Sequence, residues 1–373
     1  MIYLDYAANM PVNPAVLSRF CEVEANFPGN PNADHTAGRE SARLLSETTD
    51  KIASLLGVKP SEIIYTSGAS EANNLAIKGL ARSSRHRGRH IISTGLEHPS
   101  VSGPLTYLQE QGWEIDLCDI GRDGKIDLDH LKELLRDDTV LVAVSAVDSE
   151  LGTVQPIREI AELLKQYPNC LLHVDATQAI GKIPFSFDGI DTVSFTAHKF
   201  GGLNGNGILV KRDDLILEPL IHGGTSTSLY RSGTPTLALA AAMETALDGA
   251  LDELASHIDA VRAMNEKLRT ALSAYPKVKI NSPADAVPHI LNLSVQGVKG
   301  EGFSKALDQY GVCVSVKSAC SVRGTPSRAV FAVSRDRKNA LSSWRVSLSH
   351  LTTAEEIDGF LAAFDTCYKE LAL

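Results

Sequence analysis

Residues 171–178 read Leu-Leu-His-Val-Asp-Ala-Thr-Gln, and residues 192–199 read Thr-Val-Ser-Phe-Thr-Ala-His-Lys. In each, a short apolar run, 171–174 or 192–195, gives way to polar side chains. Such runs fit buried strands. Asp175 closes the first and Lys199 follows the second. An acid at one strand end and a lysine at the next suit a pyridoxal phosphate site. The lysine would form a Schiff base with the cofactor aldehyde, and the carboxylate would keep the pyridine nitrogen protonated so that the ring can act as an electron sink. A solvated aspartate and a surface lysine fit the same segments, because apolar strands ending in polar residues are ordinary in α/β proteins.

Working outward, strand-like runs at 62–66, 90–94, 140–147, 171–174, 192–195 and 207–210 alternate with helical patterns at 71–81, 99–111 and 156–166. Two of those helical patterns open on proline, which favours a first helical position. The alternation predicts an α/β fold with a mostly parallel, doubly wound sheet. Upstream, Leu45, Ile52, Leu55 and Leu56 share one face of a helix over 41–56 that stops at Gly57. Downstream, 235–275 reads as a nearly unbroken helical region. Strands at 290–295 and 344–348 then mix with helices at 301–310 and 353–368. The expected division is a large domain over 13–250 and a smaller α+β domain formed by 1–12 and 251–373.

The chain has 373 residues, 43% hydrophobic and 22% charged, enough for a large core. Its formal charge of −9 argues against a nucleic-acid-binding surface. No apolar run approaches the ~20 residues that span a bilayer. Met1-Ile2-Tyr3-Leu4-Asp5 lacks the basic and apolar regions of a signal peptide. The six cysteines are scattered without a CxxC pair, which fits reduced thiols and a cytoplasmic location. No metal site is expected.

Tyr65-Thr66-Ser67-Gly68-Ala69-Ser70-Glu71 joins a strand to a helix through small residues. Such a loop lets backbone N–H groups approach an anion at a helix N-terminus; it is equally a good turn and cap. Thr196, His198 and Thr234 are further candidate donors. His98 follows the strand at 90–94, where ligands gather in such sheets. It would either stack on a cofactor ring or cap the next helix. Cys320 lies in a small, polar, basic stretch (315–327) typical of a mobile loop, the setting a reactive thiolate needs. Cys118, Cys170 and Cys313 sit in apolar patterns and read as buried, inert thiols.

Together these segments resemble the cysteine desulfurases, in the class V aminotransferase branch of fold-type I pyridoxal phosphate enzymes. The resemblance runs from Leu4-Asp5-Tyr6-Ala7-Ala8 through Thr66–Ala76, Glu97-His98, Glu150–Gln155, 173–178, His198-Lys199, 231–234 and Ser318-Ala319-Cys320 to Arg345-Val346-Ser347-Leu348. It is closest to the long-loop subgroup, which carries its cysteine on a mobile loop. It implies that Lys199 is the Schiff-base lysine, Asp175 the pyridinium partner, Gln178 a donor to the phenolic oxygen and His98 the stacking ring. Ala69, Ser70, Thr196 and His198 would hold the phosphate, with Thr234 reaching in from the second subunit of a homodimer. Arg345 would grip the carboxylate of L-cysteine. Cys320 would take the sulfur as a persulfide, release L-alanine and pass the sulfur to an acceptor protein, such as an iron–sulfur scaffold or a thiolation factor.

Five positions depart from the family pattern. Asp148-Ser149-Glu150 replaces Asn-Asn-Glu, so that Ser149 stands where an asparagine helps bind the substrate carboxylate and Asp148 adds negative charge nearby. Lys317 replaces a glycine and adds a charge that would lower the thiol pKa. The segments at 223–228 and 199–205 lose their usual Glu-Arg and Gly-Pro-Lys elements, and Ser349 replaces a glycine. The cofactor side is intact and the substrate side altered, the pattern of a divergent member. A selenocysteine or other carbon–sulfur lyase, a class V aminotransferase, and a weakly catalytic sulfur carrier or scaffold are the competing readings.

Overall fold

The computed structural model describes residues 1–224, 228–317 and 324–372. Seven strands form the central sheet, in the order Ile63–Thr66, Gly207–Lys211, Thr192–Thr196, Leu171–Asp175, Thr139–Ser145, His90–Thr94 and Glu114–Cys118. Every pairing is parallel except the two made by Gly207–Lys211, which runs against both neighbours. Side chains alternate between faces. Ile92, Val142, Leu172 and Val193 enter one core, while Ile91, Leu141, Leu171 and Leu209 enter the other. Helices cover both faces, as a parallel sheet requires.

Helix boundaries follow local chemistry. Thr36–Leu56 starts where the His35 ring accepts from the Gly38 N–H at 3.1 Å, and ends on left-handed Gly57 (φ 70°). Pro99–Glu110 has its proline in the first turn. The expected unbroken helix over 235–275 is instead Leu237–Asp252 and Leu254–Ser273, parted at Glu253. No glycine or proline causes this break. The two pieces bury different neighbours: Leu237, Ala238 and Ala241 pack with Val23 and Leu45, whereas Val261, Leu268 and Leu272 join the C-terminal core.

That second core lies on an antiparallel sheet, Ser343–Ser347, Ile290–Val295 and Val278–Ile280. Phe303 stacks on fully buried Trp344 at 5.3 Å. The N-terminus belongs here too. Ile2–Tyr3 pairs with Val312–Cys313, Leu4 enters the core, and Asp5 bridges to Ser347. Residues 6–8 are thereby carried back to the end of the central sheet. Cys118 and Cys170 are buried as expected, but Cys313 is only half-buried, because its short strand lies at an edge.

The turn between Ile63–Thr66 and helix Ala69–Ser84 depends on two glycines. Gly68 adopts φ 146°, and a Cβ on Gly207 would lie 2.5 Å from its Cα. Gly207→Ala should therefore push the turn off the sheet and cost about 1–3 kcal/mol. Denaturant unfolding measures this, and a variant as stable as wild type would show that the two backbones can part freely.

Candidate active site

The carboxyl ends of the parallel strands open into a cavity of about 380 Å³. Its walls include Ala69, Ser70, His98, Ser149, Asp175, Gln178, Thr196, His198, Lys199 and Arg345, so ten of the predicted site residues meet in one place. Thr234 does not line it and is exposed. Cys320 lies outside the described residues. Lys317 does not: its Nζ donates to Thr325 O and Oγ1, both at 2.8 Å, linking the two flanks of the segment that holds Cys320.

One end of the cavity is built for an anion. Helix Ala69–Ser84 starts at Gly68 with no side chain capping it, so N–H groups of its first turn are available to a ligand. Ser70 and Thr196 stand beside it. His198 Nδ1 lies 3.0 Å from Thr196 Oγ1, which donates to Asn206 O at 2.9 Å. Burial, then Lys199 and Lys182, push the His198 imidazole down to about 4; a nearby anion would reverse that trend.

The other end is built for a cationic ring nitrogen. Asp175 ends its strand, 6% exposed and in register with Ser145 and Ser194. Its Oδ1 accepts from Thr177 N (3.0 Å) and its Oδ2 from Asn73 Nδ2 (2.8 Å). Lys199 lies in the turn after Thr192–Thr196, and its Nζ donates to Ala7 O (3.0 Å) and Ala8 O (2.6 Å). Gln178 Nε2 also donates to Ala7 O (2.8 Å), while its Oε1 accepts from Lys182 Nζ (2.7 Å). An open helix end, a buried carboxylate and an amine around one cavity match the phosphate, ring nitrogen and aldehyde of pyridoxal phosphate. The donor set fits that cofactor.

His98 bears out one of its two sequence readings, the helix cap. It caps Pro99–Glu110, its Nδ1 accepting from Ser100 N at 3.1 Å, and it also lines the cavity. Burial lowers its pKa, and Asp175 pulls it back up.

Arg345, 2% exposed on Ser343–Ser347, is already engaged. Its Nη1 donates to Ser149 O (2.7 Å) and its Nη2 to Asp5 Oδ1 (2.9 Å), while its buried Nε has no hydrogen-bond partner among the described residues. Ser149 thus meets Arg345 through its backbone carbonyl. Asp148 has a structural use: its Oδ1 accepts from Glu150 N (3.0 Å) and Leu151 N (2.5 Å) and closes the turn. Ser349 lies off this cavity, in a turn where its Oγ accepts from Leu351 N (3.0 Å).

Four residues here were given no role from the sequence: Lys182, and Asp5, Asn73 and Glu97, which lie inside motifs quoted above. Asn73 had a faint signal, a polar side chain among Ala72, Leu75 and Ala76 on the buried face of its helix. Glu97 accepts from Thr94 Oγ1 (2.7 Å) and Ser145 Oγ (2.5 Å) in the cavity wall.

The family model for aminotransferase class V matches residues 2–360. A NifS/IcsS protein homolog of Lactobacillus delbrueckii subsp. bulgaricus is 37% identical, over 100% of this chain and 98% of that protein. The cysteine desulfurase IscS of Dictyoglomus turgidum is 36% identical, over 99% of this chain and 95% of that one. A solved NifS-like protein superposes with a TM-score of 0.93 at 33% identity, covering 99% of this chain and 100% of that one.

Burial pushes the Glu97 carboxyl up from 4.5 to about 7. Between those values the folded protein keeps a proton that the unfolded chain has lost, so stability falls as pH rises. Glu97→Gln should gain on wild type through that window, by up to about 3 kcal/mol. Urea unfolding of both proteins at pH 4.5, 5.5 and 7.5 measures the gain. A constant difference between them would mean that Glu97 does not titrate there.

Proposed function

We propose that this chain, which belongs to the aminotransferase class V family, uses the cavity at its strand ends to desulfurate L-cysteine. It is a pyridoxal phosphate-dependent cysteine desulfurase, an enzyme that passes sulfur to an acceptor protein. The observation carrying this reading is likeness over the full length to enzymes of that name, joined to a cavity where Lys199, Asp175, His98 and Arg345 converge.

When bound, the cofactor supplies an electron sink for carbanion chemistry at the substrate. In our reading the chain's own residues do the rest. The first turn of helix Ala69–Ser84, with Ser70, Thr196 and His198, holds the phosphate. Asp175 would hold the ring nitrogen, Gln178 the phenolic oxygen and Lys199, now donating to the Ala7 and Ala8 carbonyls, the aldehyde. His98, in the same wall, would contact the ring and move protons. Arg345 would orient the substrate carboxylate, and Ser149 lies next to it. In the net exchange a bond forms between Cys320 Sγ and the substrate sulfur while the Cβ–S bond breaks. The electron pair of that bond stays with Cβ, which takes a proton to give alanine; the enzyme is left with a persulfide.

The further assignments belong to the same proposal. Thr234, exposed and outside its own cavity, would enter that of a second copy in a homodimer. A C-terminal core drawn from Leu4 and residues 261–372 supports a small domain over 1–12 and 251–373 beside a large one over 13–250, with Ala7, Val287 and Ile290 reaching across into the large core. Among the described residues no helix is long and apolar enough to cross a membrane, and five described cysteines are free, which suits the cytoplasm. The acceptor would be an iron–sulfur scaffold or a thiolation factor.

Alanine and sulfide release from L-cysteine with dithiothreitol tests the reading. Wild type should yield the two in equal amounts, and Cys320→Ser should yield neither while keeping the visible absorbance of bound cofactor. Lys199→Ala should lose that absorbance. Undiminished turnover by Cys320→Ser would replace the desulfurase reading with a transaminase or lyase that needs no nucleophilic thiol.

A further inference from the structure

Asn73 is fully buried, one turn into helix Ala69–Ser84, and its side-chain amide makes four hydrogen bonds. Nδ2 donates to Asp175 Oδ2 and to Ser100 Oγ, both at 2.8 Å. Oδ1 lies 2.9 Å from His173 Nε2 and accepts from the Ser194 hydroxyl. The chemistry of these partners leaves one consistent arrangement of protons. The Asp175 carboxylate accepts from the amide nitrogen, which therefore faces it. The amide oxygen then faces His173, whose Nε2 must carry hydrogen. His173 Nδ1, 2.9 Å from Thr192 Oγ1, is therefore an acceptor of that hydroxyl. His173 is held neutral in one tautomer at the base of the site, and its burial favours the neutral form.

The second arm runs to His98. Ser100 Oγ accepts from Asn73, so its own proton points to His98 Nδ1, 2.8 Å away. That nitrogen also accepts from Ser100 N. Nδ1 of His98 is thereby committed as an acceptor, and Nε2 is the nitrogen that carries the exchangeable proton.

We propose that Asn73 is a positioning residue of this site, its one amide setting the aim of the Asp175 carboxylate and, through Ser100, the proton-bearing nitrogen of His98. The inference rests on the roles of Asp175 and His98 given above. Thr192, His173 and Ser194 serve it by fixing which way the amide faces. Two groups of one cavity wall thus share one anchor, so that a disturbance at Asn73 reaches both.

The test uses full-length protein with pyridoxal phosphate added and removed. Asn73→Leu keeps the volume and deletes all four bonds. It should weaken cofactor binding about tenfold or more, move the pH midpoint of the visible band, and change the 15N shifts of the His98 ring. Ser100→Ala should change the His98 shifts and leave the band midpoint in place. Asp175→Ala serves as reference. If it shifts affinity and midpoint while a folded Asn73→Leu leaves them and the His98 shifts at wild-type values, the inference is overturned. If Asp175→Ala changes nothing either, the role of Asp175 falls first and the inference with it. Should Asn73→Leu not fold, Asn73→Ser, too short to span both arms, takes its place with the same outcomes.

Discussion

A guanidinium withdrawn from water must be paired, because an isolated buried charge costs far more than any fold can spare. Arg345 is that guanidinium. It joins three distant parts of the chain, because Asp5 from the N-terminal segment and the Ser149 carbonyl from the turn after Thr139–Ser145 both bond it on its strand of the C-terminal sheet. Asp5 is held in turn by Ser315 Oγ at 2.7 Å. The junction between the central and C-terminal sheets is thereby organised around one cation, and the cavity lies against it. The same tie places residues 6–8, whose carbonyls hold Lys199 and Gln178.

The site's electrostatics follow from depth. His98, His173 and His198 are all pushed toward neutrality by burial, and the buried carboxyls of Glu97 and Glu150 toward their protonated forms. The oxygens of Asp175 accept from the Asn73 amide and the Thr177 N–H. The cavity brings the basic side chains Lys199 and Arg345 together with Asp175 and Glu71, and burial favours the neutral forms of His98, His198 and Glu97 in its wall.

The departures at the substrate side look different in three dimensions. Asp148, which reads from sequence as an unwelcome charge beside a carboxylate site, is engaged by two backbone N–H groups of its own turn, and burial raises its pKa. Lys317 reaches Thr325 across the segment that carries Cys320. Both substitutions are thus tied into loop structure. Ser149, by contrast, lines the cavity, and its carbonyl binds Arg345.

Much of this was legible in the chain. Apolar runs that end in Asp175 and near Lys199, a small-residue loop before a helix, and a histidine before proline are relations between neighbouring residues, and neighbouring residues set strands, turns and caps. The order of those motifs was sufficient to place ten site residues around one cavity. The rest was not legible, because it depends on contacts across the fold. The helix parts at Glu253, and its two halves pack on different cores. Asn73 meets Asp175 across 102 positions, and Arg345 meets Asp5 across 340. Nothing local marks such pairs, since a buried polar side chain is given its partner by the packing that removes water from both.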